Sequence, residues 1–402
     1  MTPTSPDILW TLTMAAFWLC AAIVLYTYIG YAALLYLLVT LKRLFGKPQK
    51  PAADPSPADL PPVTLMICAY NEEDNIDPKM QDIRSLRYPN DKLKVLWVTD
   101  GSTDATNSRL SAYPDIAVEY QPQRLGKAAA VNHGLAKADT EIVLMTDANT
   151  RLSPDTVIEI ARLMKDPMVG CVSGEKKVQP ATQQTTAAKG EGAYWKYEST
   201  LKRWDSELHS AMGAAGELCA VRRSLCQPLP EDTLLDDFIL SMKIVEKGYR
   251  IAYTSRAYAI ENGSANMREE SKRKRRIAAG GLQSVWRLRA LMNPLRHPVV
   301  AFQFVSHRVL RWTITPFALL ALIPLNVVMV FASAGTLYDI LWIAQILFYA
   351  AATAGYVMAL KGKKNKILYI PYYFLFMNLN VFLGIRYLAT HKGGTWEKAK
   401  RI

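Results

Sequence analysis

The chain has 402 residues, half of them hydrophobic and about a fifth charged, which suits one large domain with membrane segments or two modest soluble domains. Five scattered cysteines and five histidines show neither C-x-x-C nor metal-ligand spacing, which excludes a disulfide framework and a zinc ribbon. The net charge of +13 gathers beside apolar runs and in 272–276 with no nucleic-acid-binding fingerprint, so membrane lipids and not nucleic acid are the expected anionic surface.

Residues 8–41 are apolar, interrupted by nothing more polar than Thr, Tyr and Gly. A bilayer core needs about 20 such residues, and the leading 1–7 lack the basic start of a signal peptide. The run therefore reads as a retained anchor. Lys42, Arg43, Lys47 and Lys50 follow, which puts the downstream side in the cytoplasm. The Pro- and Ala-rich 46–62 is a linker.

Beyond it, short apolar runs at 63–69, 93–99, 117–120 and 141–146 alternate with amphipathic stretches at 75–86, 104–112, 127–138 and 153–164. Strand and helix alternating at these lengths predict an α/β fold with a mainly parallel, Rossmann-like sheet. Asp104 and Ser153 stand where helix caps belong. Helices follow at 194–209, 234–247 (ended by Gly248) and, strongly basic, 267–292, with a strand at 250–259 between the last two. The alternation of apolar residues with His307, Arg308 and Arg311 in 302–312 predicts a helix lying in the membrane interface.

Runs 314–331 and 338–360 are long enough to cross a bilayer. The run 367–388 contains Asn378, Asn380 and Arg386, and reading it as interfacial or re-entrant keeps the basic tail in the cytosol. The resulting scheme is an anchor at 1–45, a linker at 46–62 and a cytosolic domain at 63–292. An interfacial helix at 293–312, membrane helices at 313–390 and a cytosolic tail at 391–402 complete it. The expected location is the cell inner (plasma) membrane, multi-pass.

In parallel sheets ligands bind past the carboxyl ends of the strands. Three such ends are polar here: Ala69-Tyr70-Asn71-Glu72-Glu73, Asp100-Gly101-Ser102-Thr103-Asp104 and Asp147-Ala148-Asn149. Asp100 is placed to meet a base or ribose, and Asp147 with Asn149 offers oxygen ligands suited to Mg²⁺ or Mn²⁺. Asp236 and Asp237 form a carboxylate pair at a helix start, where like charges raise one pKa. Arg273, Lys274, Arg275 and Arg276 supply positive charge for a leaving diphosphate.

With these residues in order, 63–289 resembles the family 2 glycosyltransferases of GT-A fold, above all the membrane-embedded cellulose, chitin and hyaluronan synthases and ceramide glucosyltransferase. The resemblance implies a catalytic domain flanked by transmembrane and interfacial helices. It also implies an inverting transfer from a nucleotide-sugar, a UDP-sugar by family habit, to a glycan or lipid-linked acceptor. It assigns Ala69, Tyr70, Glu72, Asp100, Lys127 (in Arg124-Leu125-Gly126-Lys127, with Asn132), Asp147, Arg273 and Arg276 to the donor, and Asp147 with Asn149 to the metal. Asp237, with Asp236 beside it, takes the place of the general base. Trp396 and Arg401 are similar to the W-x-x-R tail of several synthases, which stays cytosolic near the nucleotide, and the resemblance gives them an acceptor or gating role.

Two departures stand out. The D-x-D motif ends in Asn149, and the tryptophan of the family's Q/R-x-x-R-W motif is Ile277. Extension of a polysaccharide is the leading reading, and addition of a single sugar to a lipid is the alternative. A non-catalytic scaffold of the same fold is a third possibility, which intact Asp100, Asp147 and Asp237 disfavour.

Overall fold

The computed structural model describes residues 8–46, 56–179, 186–263, 267–361 and 365–390. Its elements run α1 (Ile8–Phe45), β1 (Val63–Ala69), α2 (Ile76–Arg84), β2 (Leu93–Asp100), α3 (Thr106–Leu110), β3 (Ala117–Gln121), α4 (Lys127–Lys137) and β4 (Ile142–Thr146). Then come β5 (Arg151–Leu152), α5 (Thr156–Leu163), β6 (Val169–Gln179), α6 (Thr186–Leu208), β7 (Cys219–Arg222), α7 (Asp236–Glu246), β8 (Arg250–Asn262) and α8 (Met267–Arg287). The chain closes with α9 (Pro298–Phe304), α10 (Ile314–Phe331), α11 (Thr336–Leu360) and α12 (Lys366–Thr390).

The run Val-Thr-Leu-Met-Ile-Cys-Ala makes β1 a strand that can be covered on both faces. Leu65, Ile67 and Ala69 join Trp97 in one core layer, while Met66 and Cys68 join Val98 in the other. β1 pairs in parallel with β2 and β4, and β3 extends the parallel set beyond β2. This part matches the sequence expectation. The other half of the eight-stranded sheet, ordered β3-β2-β1-β4-β7-β6-β8-β5, is mixed, because β7 runs antiparallel to both β4 and β6.

Of the two expected caps, Asp104 accepts the Thr106 N–H at 3.0 Å and serves as one. Ser153 does not. Its hydroxyl bonds the Thr156 hydroxyl at 2.7 Å and accepts the Tyr258 N–H at 3.1 Å, so it fastens α5 to β8.

Among the described residues four helices are long and apolar enough to cross a membrane: Ile8–Phe45, Ile314–Phe331, Thr336–Leu360 and Ile367–Thr390. The last is one uninterrupted helix, which corrects the re-entrant alternative for 367–388 and leaves the interfacial one as an expectation. Its Tyr373 hydroxyl donates to Glu270 and its Asn380 accepts from Ser271, so its polar residues answer α8. Polar residues in an apolar run thus marked a protein contact, not a break.

In 302–312, expected as an interfacial helix, the polar side chains turn inward. α9 leads into a π-turn, Val305–Val309, and a short turn, Leu310–Trp312, in which Gln303 and His307 are fully buried and Arg308 nearly so. Asp205 of α6 accepts from Tyr31 of α1, from Gln303 at 2.9 Å and from His307 Nδ1 at 2.6 Å. Glu198, two turns earlier on the same face of α6, meets Arg308 at 2.6 Å, and Arg311 and His307 at 3.3 Å. Alternation of charged and apolar residues has the same period whether the polar side faces headgroups or buried carboxylates, and here it faces carboxylates.

A second π-turn, Tyr26–Gly30 in α1, lies against the first: Tyr26 and Ser306 hydroxyls are 2.7 Å apart. Below it Tyr31, Leu35 and Val39 pack on Leu201 of α6. The network therefore rivets α1 and α9 to the catalytic-type domain.

Removing Asp205 would leave three buried donors without their acceptor, a loss that costs about 3–5 kcal/mol for buried charge pairs. We expect Asp205→Ala to lower the thermal midpoint in detergent by well over the shift of a surface control such as Asp115→Ala. Equal midpoints would show the network to be dispensable.

Candidate active site

The carboxyl ends of β1, β2 and β4 face one edge of the sheet. Tyr70 lies beneath the Arg124 guanidinium, 3.8 Å from ring centre to carbon, which forms a flat shelf there. Asn71, with φ +53°, accepts the Thr103 N–H at 2.8 Å and so ties the first strand-end loop to the second. Asp100 is buried, and its two oxygens accept the N–H groups of Leu125 (2.7 Å) and Gly126 (2.8 Å). Gly101 permits this loop: its φ is +64°, and a Cβ there would meet the Arg124 backbone nitrogen at 2.7 Å.

The next residue, Lys127, opens α4. Its ammonium lies 3.1 Å from Asp147 Oδ1 and 3.8 Å from Asp236 Oδ2. Burial alone would lower it, but Asp147, Asp236 and Asp237 hold it well above the usual lysine value. Asp147, Asp236, Asp237 and Lys127 line one cleft with Cys68, Thr146 and Gly216. Burial first, then the neighbouring Asp236, pushes the Asp237 carboxyl up to about 6, against the pull of Lys127. A Cβ at Gly216 would stand 3.1 Å from Asp237 Oδ2, so glycine keeps that face of the carboxylate open.

Residues 64–229 match the sequence profile of Glycosyl transferase family 2. The chain is 29% identical over 201 residues to a beta-monoglucosyldiacylglycerol synthase of Nostoc sp., across 46% of this chain and 41% of that one. It is 26% identical over 206 residues to a poly-beta-1,6-N-acetyl-D-glucosamine synthase of Staphylococcus aureus, across 48% of each. The alignments thus span less than half the length of these curated relatives. Among solved structures, the mannosyltransferase PcManGT from Pyrobaculum calidifontis, in complex with GDP-Man and Mn²⁺, superposes with a TM-score of 0.68 and 25% identity, over 94% of this chain and 99% of that one. Residues 64–229 are thus similar to a family 2 glycosyltransferase domain, and the fold of the chain is GT-A.

The structure sorts the residues expected at the site. Lys127, Asp147, Asp236 and Asp237 converge. Tyr70 flanks them on the Arg124 shelf. Asp100 sits at its strand end but is committed to the loop before Lys127, which makes it a positioning residue. Ala69 is fully buried in the core, and Glu72, also buried, bonds Asn75 and accepts no place in the cleft. Asn149 follows Asp147 in a turn, closed by the Thr150 hydroxyl on the Asp147 carbonyl at 2.8 Å, and does not line the cleft. Arg273 stands 3.6 Å from Glu217 and 3.9 Å from Glu270, whereas Arg276 lies partly buried on the same helix. Trp396 and Arg401 lie outside the described residues.

Sequence reasoning missed Gly216, Glu217 and Lys176. Glu217 precedes β7 and is gripped by Lys176, which also holds Glu261. Burial opposes its ionisation, yet Lys176 and Arg273 keep the Glu217 carboxyl well below the usual range. The signal was present as Gly216-Glu217 ahead of an apolar run, but without the unrecognised β6 and β7 it had no address.

For the Asp237 carboxyl, ionisation starts near 3.8 when the chain is unfolded and near 6 when folded, so the folded state carries a penalty above pH 6 that fades as pH falls towards 4. Asp237→Asn should therefore raise the thermal midpoint at pH 7.5, with the gain shrinking at pH 4.5. A midpoint at pH 7.5 equal to or below that of the parent would contradict this electrostatic picture.

Proposed function

We propose that the protein transfers a sugar from a nucleoside-diphosphate sugar to a hydroxyl on a glycan or lipid acceptor, with inversion at the anomeric carbon. The convergence of Lys127, Asp147, Asp236 and Asp237 at the strand ends of a family 2 domain carries this reading. PcManGT, solved with GDP-Man and Mn²⁺, supports a nucleotide-sugar donor and a divalent ion. A UDP-sugar is the donor suggested by the family resemblance.

Asp237 acts as the general base. Its carboxylate takes the proton of the acceptor hydroxyl as that oxygen bonds to the anomeric carbon. The bond from that carbon to the diphosphate oxygen breaks, and its electron pair leaves with the nucleoside diphosphate. Lys127 turns its ammonium from the carboxylates to the departing phosphate charge. The Tyr70–Arg124 shelf receives the base, and Asp100 holds the loop that keeps Lys127 in place.

Asp147 Oδ1 faces Lys127, and the Asp147 carboxylate is the residue of the cleft that would hold a hard divalent cation, since Asn149 does not line it. Among the described residues no group of three His, Cys, Asp or Glu converges as a metal cage, so donor phosphates and water complete the shell. Mg²⁺ and Mn²⁺ both suit such an oxygen set, and either would supply neutralisation of the diphosphate.

Four helices apolar enough to cross a membrane among the described residues, with Lys42 and Arg43 after the first, support a multi-pass protein whose domain faces the cytosol at the inner membrane. Both acceptor classes named among the relatives, glycan and lipid, fit this placement.

Loss of a general base costs about 10²–10⁴ in rate. We expect Asp237→Asn to lose transfer on that scale while keeping nucleotide affinity, and the parent rate to fall about tenfold per unit below pH 6. Transfer by Asp237→Asn at the parental rate would remove it from this role. EDTA should abolish transfer and Mn²⁺ or Mg²⁺ restore it, with Asp147→Ala restored by neither; full activity in EDTA would exclude the metal.

A further inference from the structure

Four lysines are buried among the described residues: Lys79, Lys176, Lys202 and Lys274. Three have carboxylate partners, Lys79 with Asp82 at 3.4 Å, Lys176 with Glu217 and Glu261, and Lys274 with Glu270 at 3.5 Å. Lys202, only 4% exposed on α6, has none within 4 Å among the described residues; the nearest recorded contact of its ammonium is the Trp195 ring at 5.9 Å. Glu198, one turn earlier, is already taken by Arg308, Arg311 and His307. A buried ammonium without a counter-ion is costly, so one that is retained calls for an anion from outside the chain.

Its surroundings say which anion. Burial and then Arg308 lower the Lys202 ammonium, while Glu198, Asp237 and Glu217 act in the opposite sense, so the group lies in the electrostatic reach of the base. Arg308 donates to the Met212 carbonyl at 2.8 Å, and its guanidinium covers the rings of Phe238 (5.7 Å) and Trp312 (5.6 Å). Phe238 follows Asp237, and Trp312 precedes Thr313, where an apolar groove of about 510 Å³ opens between α1 and α10. Cys20, Ile23, Leu282, Ile314 and Phe317 line it. Arg308, paired with Glu198, thus bridges the ring that follows Asp237 and the ring beside the groove, and Lys202 stands one turn along α6 from Glu198.

We infer that Lys202 and Arg308 form a site for a lipid phosphate, through which an anionic phospholipid places its acyl chain in the groove and its headgroup hydroxyl at Asp237. This rests on the transferase reading for the hydroxyl's fate, whereas the phosphate site stands on Lys202 itself. The transfer balances as above: the headgroup oxygen bonds to the anomeric carbon, its proton goes to Asp237, and the nucleoside diphosphate leaves with the electron pair.

Native mass spectrometry of the full chain in detergent, with short-chain phosphatidylglycerol, chain-matched diacylglycerol and farnesyl phosphate, tests the site. The parent should bind phosphatidylglycerol at least about tenfold more tightly than diacylglycerol, the contribution of one charged hydrogen bond. Lys202→Met should erase that preference and fold as stably as the parent, and Lys202→Arg should keep it. An undiminished preference in Lys202→Met, or none in the parent, overturns the inference, and tighter binding of farnesyl phosphate overturns the headgroup assignment. Vesicles of the same lipids with labelled nucleotide-sugars then read transfer: a raised KM for phosphatidylglycerol with unchanged donor hydrolysis in Lys202→Met supports the role. Lipid preference without turnover of any donor would sink the transferase reading and leave the phosphate site standing.

Discussion

Three carboxylates can share a partly buried cleft only if a cation sits among them, because like charges that close in low dielectric drive one another to take up protons. Lys127 is that cation, and its position depends on the loop before it. Asp100, at the end of β2, accepts the two N–H groups that immediately precede Lys127, so the strand end dictates where the ammonium can stand. Asp147 at the end of β4 and Asp236 at the start of α7 then meet it from two sides. Asp237, one residue further, is pushed up to about 6 by its burial and then by Asp236, against the pull of Lys127.

The parts of this arrangement that the sequence disclosed are those with local signatures. β1 and β4 are apolar runs ending in polar residues, and Lys127 opens a helix after a Gly, so the first half of the sheet and its strand ends could be read directly. β6 could not. Its Val-Gly-Cys-Val-Ser-Gly-Glu-Lys-Lys-Val-Gln mixes both faces because Lys176 points inward to two carboxylates contributed from residues 217 and 261. A buried ion pair of this kind looks like a solvated strand until its partners are known. The same blindness made the segment holding His307, Arg308 and Arg311 resemble a headgroup-facing helix, although Glu198 and Asp205 of α6 are what those side chains face.

Asp100 illustrates a subtler limit. Its place at a strand end was legible, yet whether such a carboxylate meets ligand or backbone depends on the path of a loop some 25 residues later. Ala69 and Glu72 fail in a related way: a strand-end motif marks a neighbourhood, and the alternation of side chains within it decides which members face the cleft. Ala69 falls on the core face with Leu65 and Ile67.

The ionic wiring also bears on how the halves of the molecule act on one another. Glu217 adjoins Gly216, which touches the open face of Asp237, and it is held at once by Lys176 of β6 and by Arg273 of α8. α8 in turn packs along α12 through Glu270–Tyr373 and Ser271–Asn380. A displacement of α12 against the sheet would therefore pull Arg273 from Glu217 and leave Lys176 as its remaining cation, so that Asp237 meets a less fully compensated negative neighbour, which raises its pKa further. Asp205 and Glu198 limit such displacement on the opposite side by fixing α1 and the 305–311 segment to α6. Anchoring the apolar helices to the domain through charges, and not only through apolar packing, thus links the geometry of the membrane segments to the protonation of the group proposed as the base.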